Sequence, residues 1–262
     1  MTATRTTRQL LVILFLACFV PRVYLNAQSD VLVDPTKTAQ AKSEDEFDKY
    51  LEIVTATDAA QVIDKTNAFV SQYPKSELLG AAYQYQMHAY QLSNDFDGML
   101  TAGRQALLRN SNDVNTLLTL ASTMASRATG RPDREELLSQ AEADARHALE
   151  EIETQRISRK VSLQEWTSQK HQMQADAHGA LGTVALQRGN TQTAVREFKT
   201  AIEIAPHPQG IQFLRLGLAL ASTPAKNEAR ENFRRAAELG PDPIRRSAAE
   251  ELKKLPEKPS PQ

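Results

Sequence analysis

The sequence predicts an all-α protein built from a repeated helical unit, and three observations carry that prediction. Ala, Leu, Gln, Glu and Arg are abundant while Gly is sparse, with 10 in 262 residues. The abundant types lose little side-chain freedom in a helix. A set of identical residues recurs near the C-terminus at a single offset of 35 residues. Capping residues and prolines divide the remaining chain into segments of helical length.

The first 27 residues stand apart. Arg5 and Arg8 make a basic start, Leu10 to Val20 is an unbroken apolar run, and Pro21 breaks it. A small residue for cleavage follows at Ala27. This is the anatomy of a secretory signal peptide, and eleven apolar residues are too few to anchor a helix across a bilayer. Export to the periplasm or cell envelope, with cleavage after Ala27, is expected. A lipoprotein reading competes, because Phe15-Leu16-Ala17 before Cys18 is loosely similar to a lipobox. Leu16 is bulky for its place there, and apolar residues continue past the cysteine. Membrane attachment is expected only if Cys18 is lipidated.

Loss of residues 1–27 removes three arginines and no acids, leaving 28 basic against 32 acidic residues. That balance offers nothing to draw nucleic acid. Cys18 is the sole cysteine, so a chain cleaved after Ala27 has neither disulfides nor thiolate chemistry. Residues 28–42 read as a flexible leader.

Eleven helices are expected over 43–54, 58–72, 76–93, 95–109, 113–127, 133–155, 163–188, 191–204, 209–221, 225–239 and 243–254. Ser43 with Glu46 and Ser162 with Glu165 have the spacing of capping boxes. Thr57, Asp113 and Asp242 are candidate N-caps, and Pro132 and Pro243 are placed for a first helical turn. The helices before and after 156–162 are long, and the second runs for about 25 residues through Trp166, Met173, Ala177, Leu181 and Val184. At about 1.5 Å per residue the hairpin 133–188 should project about 10–15 Å beyond its neighbours. Trp166 is the candidate hairpin contact, either as an anchor or as a partner hot spot. Residues 256–262, rich in proline and charge, read as a disordered tail.

In the repeat, Leu181-Gly182 matches Leu216-Gly217, and Ala194, Phe198 and Ala201 match Ala229, Phe233 and Ala236. Glu203, Pro206 and Pro208 match Glu238, Pro241 and Pro243. The Ala, Phe, Ala spacings of four and three put these residues on one helix face. The glycines let another helix approach, and proline ends each unit.

These residues resemble the tetratricopeptide repeat (TPR), a pair of antiparallel helices. The resemblance is specific over 175–208 and 210–243 and loose over 57–150, where Met99 and Gly103 replace the usual alanine and aromatic residue. Phe69 to Ser76 resembles the interhelical joint of envelope repeat proteins of the BamD and CpoB kind. The resemblance implies a right-handed α-solenoid over 43–255 with a C-terminal capping helix. It also implies a concave groove lined by the first helix of each pair, which receives a protein or peptide. Matched positions place Gln84, His88 and Gln91 there, with Asp176, Thr183 and Gln187, and then Ile211, Leu214 and Leu218. The last three are apolar enough to need a cover, either a ligand or helix 243–254. The lysine and asparagine clamp of chaperone-binding members is absent, which disfavours a C-terminal carboxylate as ligand.

Catalytic motifs are wanting: there is no phosphate-binding glycine loop, GxSxG or HExxH. His171 and His178 lie about 10 Å apart on one helix face, too far to share an ion directly. No cofactor, metal or catalytic residue is expected. The reading is an exported binding scaffold or, alternatively, a structural subunit of an envelope assembly docked through the long hairpin.

Overall fold

The computed structural model describes residues 39–155 and 161–255, which form eleven α-helices and, among the described residues, no strand. The expected signal peptide with Cys18, most of the expected leader, residues 156–160 and the expected tail 256–262 lie outside the described residues. The helices are α1 (Glu44–Val54), α2 (Ala59–Gln72), α3 (Leu79–Leu92), α4 (Phe96–Arg109), α5 (Val114–Arg127) and α6 (Arg134–Thr154). They continue as α7 (Leu163–Gln187), α8 (Thr191–Ile204), α9 (Gly210–Ala221), α10 (Lys226–Leu239) and α11 (Asp242–Lys254). Successive helices pair, α1 with α2 through α9 with α10, and α11 closes the C-terminal end.

Helix ends follow the local chemistry, with instructive departures. Ser162 and Glu165 form the full capping box. At α1 the box is half made: Ser43 caps Glu46, but Glu46 reaches the amide of Lys42 instead of that of Ser43. The cap of α2 is Asp58, not Thr57, its carboxylate accepting from the Gln61 amide at 2.9 Å. A carboxylate facing the positive end of a helix is favoured over a hydroxyl one residue too early. Asp113 caps α5 as expected. Asp242 is instead the first residue of α11, with Pro243 in that helix's first turn. Pro132 precedes α6, in a turn outside the helix. Helix α3 starts at Leu79, because Ser76 and Leu78 complete a turn after Pro74, the Leu78 amide donating to Ser76 Oγ. Residues 40–42 bind the α2–α3 loop: Lys42 Nζ donates to the Lys75 carbonyl, and Ala41 packs on the first core.

The packing unit is a glycine under an aromatic ring. A Cβ added at Gly182 would lie 2.6 Å from the Phe198 ring, and one at Gly217 would lie 2.6 Å from that of Phe233. Both rings are buried, at 2% and 0% exposure. The degenerate copy keeps the device in altered register. Gly98 underlies Tyr90, and Gly103 admits Leu120 and Met87. Met99 fills the adjoining core, as a flexible thioether can.

The long hairpin does not stand free. Trp166 and Met173 of α7 and Ile152 of α6 share a buried cluster with Val114, Leu117 and Leu118 of α5. The extra turns of α6 and α7 therefore pack against the start of α5, where apolar burial outweighs the solvation a projecting helix would keep. Leu163, at the outer end of α7, remains 73% exposed.

Candidate functional site

The faces of α3, α5 and α7 form the candidate site. On α3, Gln84 and His88 are half-buried and Gln91 is exposed, one helical turn apart in succession. His88 Nδ1 lies 3.5 Å from Gln91 Oε1. Partial burial holds its imidazole below the ordinary histidine range, against the opposing pull of Gln91 and Asp113. The ring is therefore neutral at physiological pH.

On α7, Asp176 has an exposed carboxylate that accepts from Gln172 Nε2 at 3.0 Å. The surrounding protein pushes its pKa up to about 6 despite the Gln172 bond and the nearby Arg215 charge. Thr183 donates its hydroxyl to the Gly179 carbonyl. Gln187 is committed as well: its Oε1 accepts from Thr129 Oγ1 at 2.9 Å, and its carbonyl accepts from Arg134. It ties α7 to the α5–α6 loop.

Helix α5 bridges the two expected halves. Gln91 borders a small recess with Thr123 and Arg127 of α5, and the Thr129–Gln187 bond joins the other side. The sequence reading omitted α5 from the site, although Asn115, Thr119, Ser122 and Ser126 recur at helix-face spacing and all remain at least partly exposed. That stripe was the available signal. It also omitted Arg215, which acts on Asp176 from α9.

The remaining candidates are packing residues. Leu214 is buried in a cluster that includes Ile244 and Ala248 of α11, with Ile211, Leu218 and Leu252 packed on its edge. Leu214 is thus buried in the core that α11 joins, while Ile211 and Leu218 stay partly exposed. Trp166 is 8% exposed inside the hairpin cluster, an anchor and not an available hot spot. His171 is exposed, while His178 Nδ1 meets Glu197 Oε2 at 2.8 Å across α7 and α8. Among the described residues, no group of three or more acidic, histidine or cysteine side chains could hold a metal ion.

The arrangement offers amides and hydroxyls, with few charges, across three neighbouring helices. No family model and no curated protein matches the sequence. Solved structures do match. TTC0263, a TPR protein of Thermus thermophilus, superposes with a TM-score of 0.53 at 16% identity, covering 74% of this chain and 91% of that one. The fold is of the tetratricopeptide-repeat type. MamA matches more loosely, with a TM-score of 0.41 at 19% identity over 64% of this chain and 91% of that one. The TPR domain of P58(IPK) gives a TM-score of 0.33 at 14% identity, over 82% and 55% respectively.

Proposed function

We propose that this chain is an exported, non-catalytic scaffold that holds a protein or peptide partner in the periplasm or cell envelope. The observation that carries the reading is the set of at least partly exposed polar residues on α3, α5 and α7, with Gln84, His88, Gln91, Asp176 and Thr183 as partner contacts. Side-chain amides and hydroxyls suit the backbone of an extended segment, because each can match a peptide donor or acceptor. Gln187 serves the site indirectly, by fixing α7 against the α5–α6 loop. Export rests on the basic start, the apolar run and the small residue at Ala27.

The test is photocross-linking in cells, with the reactive residue placed at Gln84 or at Asp176. A defined partner should be captured from both positions and not from Leu108, an exposed residue of α4. Equal capture from all three would remove the groove reading. The mass of the mature N-terminus tests the export claim: a chain starting at Gln28 supports cleavage after Ala27, and a lipid-modified Cys18 supports outer-membrane attachment instead.

A second reading, a structural subunit docked through the α6–α7 hairpin, is favoured by one observation, the exposure of Leu163 beside the buried Trp166 anchor. Leu163→Ser should then abolish assembly without lowering thermal stability.

A further inference from the structure

Away from the groove, an open cleft of about 440 Å³ lies between α2 and α4, floored by α3. Its size falls within the range of small-molecule sites. The reason it exists is legible from two other intervals between second helices. Between α4 and α6, Arg104 meets Asp144 at 2.9 Å. Between α8 and α10, Lys199 meets Glu228 at 2.6 Å. At the α2–α4 interval the facing residues are Asn67, Thr101 and Gln105, too short to span it and without charge to pair. Gly98 and Ala102 add little bulk on the α4 side.

The lining is chemically selective. It holds three side-chain amides, a hydroxyl and two half-buried tyrosines, Tyr83 and Tyr90, and no acid or base. Gln86 is 5% exposed and donates to Asn67 Oδ1 at 2.8 Å, so both amides are held in fixed planes. An ionised ligand would find no counter-charge among the lining residues, so the site offers it no specific partner. A purely apolar ligand would strand the amides. A neutral saccharide satisfies both limits. Its vicinal hydroxyls donate and accept as the amides do, and its C–H faces suit the tyrosine rings, which carry an apolar body with a polar tip.

We infer that the α2–α4 cleft is a binding site for a neutral saccharide, separate from the proposed partner groove. Its contacts are the Asn67, Gln86 and Gln105 amides, the two tyrosines and the Thr101 hydroxyl, which donates to the Asp97 carbonyl and so accepts from the ligand.

Saturation-transfer NMR on the full chain tests this, with triacetylchitotriose and maltotriose as probes. Trigalacturonate and a blocked neutral tripeptide containing asparagine serve as controls. At least one neutral trisaccharide should show transfer and the controls should not. Gln105→Leu should weaken that binding about tenfold, the scale of one lost hydrogen bond with its partner left unsatisfied. Thr101→Val, at an exposed position, should weaken it in the same direction and covers the case in which Gln105→Leu does not fold. Groove cross-linking from Gln84 should be unchanged in either variant. The inference is overturned if neither sugar shows transfer, if a control binds as well as the sugars, or if both variants bind as the parent does.

Discussion

Gly182→Ala isolates the contact on which the repeat is built. The substitution removes the flexibility penalty of glycine within a helix, a gain of about 1 kcal/mol. Against this, the new Cβ would sit 2.6 Å from Cδ1 and Cε1 of Phe198, closer than carbon atoms tolerate. The ring is 2% exposed and packed on every side, so it cannot swing into solvent. Overpacking of this kind costs about 1–3 kcal/mol. The net effect should be destabilisation by up to about 2 kcal/mol, opposite in sign to the effect at an open helix position. Phe198→Ala alone should cost about 3–5 kcal/mol through the cavity it leaves. In the double variant the Cβ of residue 182 no longer clashes and occupies part of that cavity. The two changes should therefore be less than additive, with a coupling of about 0.5–3 kcal/mol, as for residues in direct contact. Urea denaturation followed by far-UV circular dichroism measures all four proteins of the cycle. Additive effects, or a stabilised Gly182→Ala, would show that the ring does not rest on this glycine. Gly217 with Phe233 provides the independent repeat of the experiment.

Other outcomes follow from the same geometry. Asp176 carries a pKa raised to about 6 from an ordinary 3.8, so the folded chain holds its proton more tightly than the unfolded chain does. Its contribution is most favourable below about pH 4 and is lost as pH rises through about 6; Asp176→Asn should raise the melting temperature at neutral pH and leave it unchanged in acid. Trp166→Ala should cost about 3–5 kcal/mol. As Trp166 is the only tryptophan, its fluorescence should redden in step with loss of helicity; an earlier shift would mean that the hairpin unfolds separately from the stack. Arg104→Ala strands the buried Asp144 carboxylate, whose pKa is already raised by burial against the pull of Arg104. It should destabilise by about 1–3 kcal/mol near neutral pH, and by less in acid, where protonation relieves Asp144; equal losses at both pH values would refute the pairing.

The amino-acid sequence by itself determined the helices and their order. Composition, caps and prolines are local signals, and α4, α5 and α8 begin within a residue of where those signals put them. It also determined the glycine-under-phenylalanine device, because a 35-residue offset repeats both partners together. Tertiary structure alone decided what each exposed face meets. The long α6–α7 hairpin carries a helical pattern that says nothing about α5, yet Val114, Leu117 and Leu118 are what bury Trp166. Ile211, Leu214 and Leu218 demanded a cover, and only the fold shows that Leu214 is buried in a core shared with Ile244 and Ala248 of α11 while the other two stay partly exposed. The polar stripe of α5 and the α2–α4 cleft were hidden for a further reason. Asn, Gln, Ser and Thr read as ordinary solvent-facing residues until the spacing of helices distant in sequence encloses them. Periodicity records which side of a helix is apolar; the distance to the next helix is a property of how the side chains of both pack.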